Sequence, residues 1–247
     1  DGPELDGVVI ATPLHEHAGM TCDALDAGLH VFCEKAMART LPDVRRMYDT
    51  SQRTGRILQI GHQRMFNPVY LESMERIKRG EAGAITMLHG CWMRNTEWLF
   101  YDVPGGRGTP LDRQRNWRLY DESSAGLLTE LGSHHFQVAN WVLGAQPEWV
   151  MGSGSLNFYT DGREVDDNIS LIFRYPGGVH FTYECLNSNA HNGMNFQVLG
   201  HKATYELEAN KTYLETPPEP PALRRLIHSI ETDLFETIPI GGATWIP

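Results

Sequence analysis

Short apolar runs alternate with helix-period segments through the first sixty residues. Residues 8–11 are apolar and β-branched, as suits a strand covered on both faces, and Thr12-Pro13 ends the run. Over 15–26, Ala18, Cys22 and Leu25 share one helical face, and Gly28 follows. His30–Cys33 predicts a second strand, Leu41–Thr54 a helix opened by Pro42 and closed by Gly55, and 57–60 a third strand. Strand, helix, strand, helix, strand at this spacing predicts a βαβαβ unit with a parallel sheet and right-handed crossovers. Such sheets bind ligands at the carboxyl ends of their strands. Those ends are Thr12-Pro13, Glu34-Lys35 and Gly61-His62-Gln63-Arg64.

After residue 66 the pattern changes. Asn67 reads as the cap of a helix over 68–80. Ile85–Met93 predicts a strand, 95–116 a loop rich in Gly, Pro and Arg, and 125–143 a helix ended by Gly144. Strand-like segments follow around 148–158, 168–175, 178–188, 194–199, 203–208 and 211–215. Close turns such as Pro176-Gly177-Gly178 and Gly200-His201-Lys202 predict antiparallel pairing. The Pro-rich end from 217 holds one helix, over 223–235. The expected architecture is α/β. Residues 1–66 form a partial Rossmann domain, the C-terminal half of a dinucleotide-binding fold, with a parallel sheet. Residues 67–247 form an α+β substrate and oligomerisation domain with a large open antiparallel sheet. The Gly-rich turn that meets a pyrophosphate is absent, and Gly152-Ser153-Gly154 lies among strands. The chain therefore reads as starting in mid-fold, with the pyrophosphate half upstream.

Composition narrows the function. With 21 Lys plus Arg against 31 Asp plus Glu, the net charge is −10 over 247 residues. Lacking a basic block, the chain is not expected to bind nucleic acid, which needs cations on phosphates. No apolar run approaches the ~18 residues that suggest a membrane span. The expected partner is a small molecule. Cys22, Cys33, Cys91 and Cys185 are scattered and read as free thiols.

Several residues can carry chemistry. Lys35 ends a strand where ligands collect, and burial would lower its pKa into a useful range; a solvated strand-end lysine would look the same. Glu130 and His134 stand four apart on the predicted helix, which stacks them on one face. A carboxylate beside an imidazole fixes its tautomer and raises its basicity; an i,i+4 surface pair has the same spacing. Leu127, Leu131, Val138 and Val142 form the adjacent apolar stripe. Trp117-Arg118 offers a flat face and a fork of donors, or simply a cation–π pair. Trp92, Trp98, Phe100 and Tyr101 read as core or as a sugar platform. The histidines His15, His17, His134 and His135 complete no tetrahedral set, so no metal is expected.

Jointly, Ala11-Thr12-Pro13-Leu14-His15-Glu16-His17, Cys33-Glu34-Lys35-Ala36, Gly61-His62-Gln63-Arg64 and Glu130-Leu131-Gly132-Ser133-His134 resemble the glucose–fructose oxidoreductase / inositol dehydrogenase family (Gfo/Idh/MocA). The resemblance implies an N-terminal Rossmann domain and a C-terminal domain with an open antiparallel sheet. It implies NAD or NADP as cofactor and a sugar or cyclitol as substrate. Hydride would pass between a ring carbon and the nicotinamide. By resemblance Thr12, Pro13, His17, Glu34, Lys35, Gln63 and Arg64 face the cofactor. Arg64, Trp117, Arg118 and His135 face the substrate. Lys35, His134 and Glu130 are catalytic, with Glu130 holding His134. Ala36 replaces the family's usual proline, which follows a cis peptide, and Glu130 replaces its aspartate. A homodimer or homotetramer through the open sheet is implied.

Two rival readings use the same residues. One is an NAD-dependent glycosidase that oxidises its sugar transiently and eliminates, with Tyr159, Tyr183 and His135 as candidate extra acids or bases. The other is a non-catalytic binding subunit. The thiols favour the cytoplasm; an upstream export signal would place the protein in the periplasm.

Overall fold

The computed structural model describes residues 5–215 and 221–234. Strands β1 (Gly7–Ile10), β2 (His30–Cys33) and β3 (Leu58–Ile60) form a three-stranded parallel sheet in the order β1-β2-β3. Helices α1 (His17–Asp26) and α2 (Leu41–Thr54) connect them. A 3-10 turn, Leu14–Glu16, precedes α1, so the helix starts two residues later than the apolar pattern suggests. Helix α2 keeps its predicted bounds because its ends are written locally. The Thr40 side chain accepts from the Asp43 backbone N–H, Pro42 sits in the first turn, and Gly55 closes it at φ 66°. Ile10, Ala18, Cys22, Leu25, Val31, Cys33 and Met47 make this sheet's core.

Helix α3 (Pro68–Lys78) is capped by the Asn67 side chain as predicted. Then comes a seven-stranded sheet in the order β10-β9-β8-β4-β7-β6-β5. Its strands are β4 (Ile85–Met93), β5 (Trp149–Ser155), β6 (Asn168–Arg174), β7 (His180–Leu186), β8 (Met194–Gly200), β9 (Ala203–Glu206) and β10 (Lys211–Leu214). One pairing departs from the antiparallel expectation: β4 runs parallel to β7. These strands are joined by a long excursion rather than a tight turn, so hairpin logic does not govern them. One sheet face is packed: Leu88, Phe181, Tyr183, Phe196, Val198 and Tyr205 meet Tyr70 and Met74 of α3. The other carries Thr182, Glu184, Ile172 and Arg174 and is covered by no element of the described chain.

The predicted loop 95–116 contains a short helix, α4 (Pro110–Arg115). Its signal was present in Thr109, whose hydroxyl accepts from the Asp112 N–H, followed by Pro110. The helix predicted over 125–143 is two elements. Leu128–Gly132 is a π-turn, and α5 (Ser133–Leu143) follows, closed by Gly144 at φ 61°. Helix α6 (Pro221–Leu234) covers most of the predicted C-terminal helix; Phe235 lies outside the described residues. Among the described residues no helix is long and apolar enough to cross a membrane.

Candidate active site

The site forms where the carboxyl ends of β2 and β3 approach the start of α5. Gly61 permits the closeness of the two strand ends: a Cβ there would stand 3.1 Å from the Phe32 ring and 3.2 Å from the Glu34 carboxylate. The Lys35–Ala36 peptide bond is cis. The Lys35 side chain crosses from the parallel sheet to the second half of the chain, where Nζ donates to the Glu130 carbonyl at 2.9 Å. The Glu130 carboxylate is 3.9 Å from the same Nζ. Burial holds the Lys35 ammonium below its ordinary pKa, with Glu130 opposing and Arg118 adding to the shift.

His134 lies buried on the first turn of α5. Its ring packs on Trp92, centroids 5.6 Å apart, and meets the His62 ring edge-on at 6.2 Å. Burial carries its pKa down to about 3, helped by the positive charges of Arg64 and Lys35 and by His62 and His135. A neutral imidazole there accepts a proton readily only from a group acidified by its surroundings, as an alcohol near an ammonium is. His62 is also held below its ordinary value, by burial and then by Lys35.

The structure qualifies four assignments. Glu130 does not hold His134: its Oε2 accepts from Arg118 Nε at 2.8 Å, and no hydrogen bond joins it to the imidazole. The carboxylate is turned instead to two cations, Arg118 and, at 3.9 Å, Lys35. His17 does not face the crevice. Its Nδ1 lies 2.9 Å from the Ala36 carbonyl and its Nε2 3.0 Å from that of Thr12, so it braces the two strand-end loops. Arg64 is buried and bound to Glu208 at 2.7 Å and to the Tyr70 hydroxyl at 3.0 Å, over the Trp92 ring. It organises the floor, and its Nη1 is buried without a protein partner. His135 is wholly buried among Trp92, Tyr183 and Phe196 and cannot touch a substrate.

Other predicted residues fall at the crevice or its edge. Thr12, Pro13 and Glu34 are half-buried at strand ends, and Gln63 is exposed. Arg118 stacks on Trp117 at 4.3 Å, a cation–π pair whose guanidinium also engages Glu130. The aromatic group separates: Trp92 joins the core, while Phe100 and Tyr101 are exposed. Tyr183 is buried in the main core, and the Tyr159 hydroxyl donates to the Asn187 carbonyl at 2.9 Å. His62 and Glu208 were not among the assigned site residues. His62 stood in the named strand end, so the rule that found Gln63 applied equally to it. Nothing local marks Glu208, which comes from the β9–β10 turn.

Around these strand ends and the start of α5, four buried polar atoms have no protein partner: Thr12 Oγ1, His62 Nδ1, Arg64 Nη1 and His134 Nδ1. Buried polar atoms ordinarily find partners, so the set suits a polar ligand such as the nicotinamide end of a dinucleotide. A cavity of 380 Å³, lined by His15, Arg113, Gln114, Glu122 and Ser123, opens beside the loop after β1.

Residues 1–62 match the oxidoreductase family with an NAD-binding Rossmann fold, and residues 70–206 match the GFO/IDH/MocA C-terminal domain. The scyllo-inositol 2-dehydrogenase (NAD(+)) of Bacillus subtilis is 26% identical over 175 residues, 70% of this chain and 46% of that protein. The levoglucosan dehydrogenase of Pseudarthrobacter phenanthrenivorans is 24% identical over 217 residues, 79% of this chain and 53% of that one. The inositol dehydrogenase homolog of Azotobacter vinelandii, solved with NADH and myo-inositol, superposes with a TM-score of 0.69 at 21% identity, covering 86% of this chain and 54% of its own. The chain thus spans about half the length of these relatives. It belongs to the GFO/IDH/MocA family of oxidoreductases.

Proposed function

We propose that this chain carries the catalytic half of an NAD(P)-dependent dehydrogenase acting on a CH–OH carbon of a sugar or cyclitol. The carrying observation is Lys35, whose partly desolvated ammonium spans from the parallel sheet to Glu130, within electrostatic range of His134. Thr12, Pro13, Glu34 and Gln63, at the strand ends, would hold the nicotinamide end of the cofactor. When bound, the cofactor supplies the hydride acceptor. The residues supply orientation and proton handling. Lys35 hydrogen-bonds the reacting hydroxyl and stabilises its developing negative charge. His134, neutral at working pH, takes the proton. Glu130 tethers the Lys35 ammonium and the Arg118 guanidinium. Trp117 and Arg118 form the wall that meets the remaining hydroxyls. The relatives' names, scyllo-inositol and levoglucosan dehydrogenases, support a polyol ring as substrate.

The family matches on either side of residue 66 support two domains, 1–66 and 67–247. The uncovered sheet face supports a homodimer or homotetramer. The four buried thiols support a reducing compartment, the cytoplasm.

The test uses the full-length protein with a panel of cyclitols and monosaccharides and either NAD or NADP, reading nicotinamide reduction. Turnover with at least one polyol is expected. No reduction with any of them, while glycosides are cleaved, would favour the transient-oxidation reading instead.

A further inference from the structure

We propose that Asp112 is a positioning residue that aims Arg118; this inference rests on the hydride-transfer reading, in which Trp117 and Arg118 meet the substrate. Both residues lie in a single 3-10 turn, Trp117–Leu119. So short a turn makes few backbone bonds of its own. Arg118 is nonetheless aimed: its Nε donates to Glu130 Oε2 at 2.8 Å, and the Glu130 carbonyl receives Lys35 Nζ. Its side chain is 41% exposed, so burial does not hold it. The Ser123 hydroxyl and the Glu164 N–H each hold one carbonyl of the turn. The Asp112 carboxylate holds both of its ends.

Asp112 is wholly buried on α4. Its carboxylate accepts from Asn116 Nδ2 at 2.6 Å and from the Tyr120 hydroxyl. Asn116 directly precedes Trp117, and Tyr120 directly follows Leu119. One carboxylate therefore grips both flanks of the turn, through side chains that are themselves buried. The carboxylate is fixed in place by Arg107 Nη1 at 2.8 and 2.9 Å and by the Gly108 N–H at 2.8 Å. Asn116 extends the hold to Phe100, accepting from its N–H at 2.7 Å and donating to its carbonyl at 3.0 Å. Without the carboxylate, buried donors on either side of the turn lose their acceptor, which is costly. The flanks then shift, and Arg118 shifts with them.

The experiment measures KM and kcat for a polyol in the full-length protein, in wild type, Asp112→Asn, Arg118→Ala and the double variant. D112N keeps the side-chain shape and sets an amide against donors. KM is expected to rise about tenfold or more in D112N with kcat within about threefold. Because Asp112 acts through Arg118, the double variant should fall within about twofold of R118A alone. The Lys35 Cε resonance, titrated by NMR, should show a higher midpoint in D112N, since the Arg118 cation that lowers it has moved away. A D112N variant folded as wild type by circular dichroism that keeps its KM, or keeps the Lys35 midpoint, overturns the proposal. So do losses from D112N and R118A that multiply. Should D112N not fold, Tyr120→Phe, which cuts one arm of the clamp, is read in the same way. A wild type that reduces no nicotinamide speaks against the dehydrogenase reading alone, because the Lys35 titration is read without turnover.

Discussion

Lys35 and His134 are close enough to influence one another's charge, and their chemistry follows from shared burial. Replacing Lys35 with Met removes the donor proposed for the reacting oxygen. K35M should lose about 10²–10⁴-fold in kcat, while cofactor affinity, measured by fluorescence titration, stays within a few-fold. The His134 shift sets a pH dependence. Its folded pKa lies near 3, below the ordinary 6.5, so the ring remains a neutral acceptor well into acid. The acid limb of kcat/KM assigned to His134 should therefore fall below pH 5 rather than near 6.5. The same shift acts on stability. Between pH 6.5 and 3 the unfolded chain binds a proton at this position that the folded one does not, so stability drops as pH falls through that window. Denaturant melts at pH 7 and pH 4.5 check the sign. The place of Lys35 at a strand end was legible in the pattern, whereas its role came from the family resemblance, since a solvated strand-end lysine has the same local signature. The Glu130–His134 pairing was not legible because spacing does not show which of several neighbours a carboxylate takes, and Arg118 and Lys35 engage Glu130.

At the scale of elements, two features fix where the residues point. The first is the entry to the π-turn. Gly126 has φ 54°, and a Cβ there would stand 2.9 Å from Val165 Cβ. Gly126→Ala should cost about 1–3 kcal/mol through strain and contact, measured by urea denaturation, and should reduce activity by shifting Glu130. The second is the buried floor made by Arg64, Tyr70 and Glu208. Burial would raise the Glu208 pKa, but His135, Tyr70 and Arg64 bring it down to about 2. Glu208→Ala leaves the Arg64 cation uncompensated and should cost about 3–5 kcal/mol, seen as a lower denaturation midpoint. Elements with local signals were legible: α2 and α3 carry caps and prolines, and β2 and β4 are bounded runs. The floor was not, because its members lie far apart in sequence and only tertiary packing joins them.

For the whole molecule, the change from parallel to antiparallel sheet was legible in the change of spacing and turns after residue 66. The parallel β4–β7 pair was not, since strand order across a long connection has no local signature. The open face of the larger sheet bears on assembly. Ile172 lies there, 40% exposed, between Ser170 and Arg174. If two chains pack through this face, Ile172→Arg should lower the light-scattering mass to that of one chain without unfolding it. The central claim remains that the crevice between the sheets directs hydride from a polyol carbon to a nicotinamide. The most direct measurement supplies a polyol deuterated at its reacting carbon and asks where the deuterium goes. Deuterium on C4 of the nicotinamide ring, with transfer suppressed in K35M, is the predicted result. Deuterium that stays on the polyol or is lost to water would contradict it.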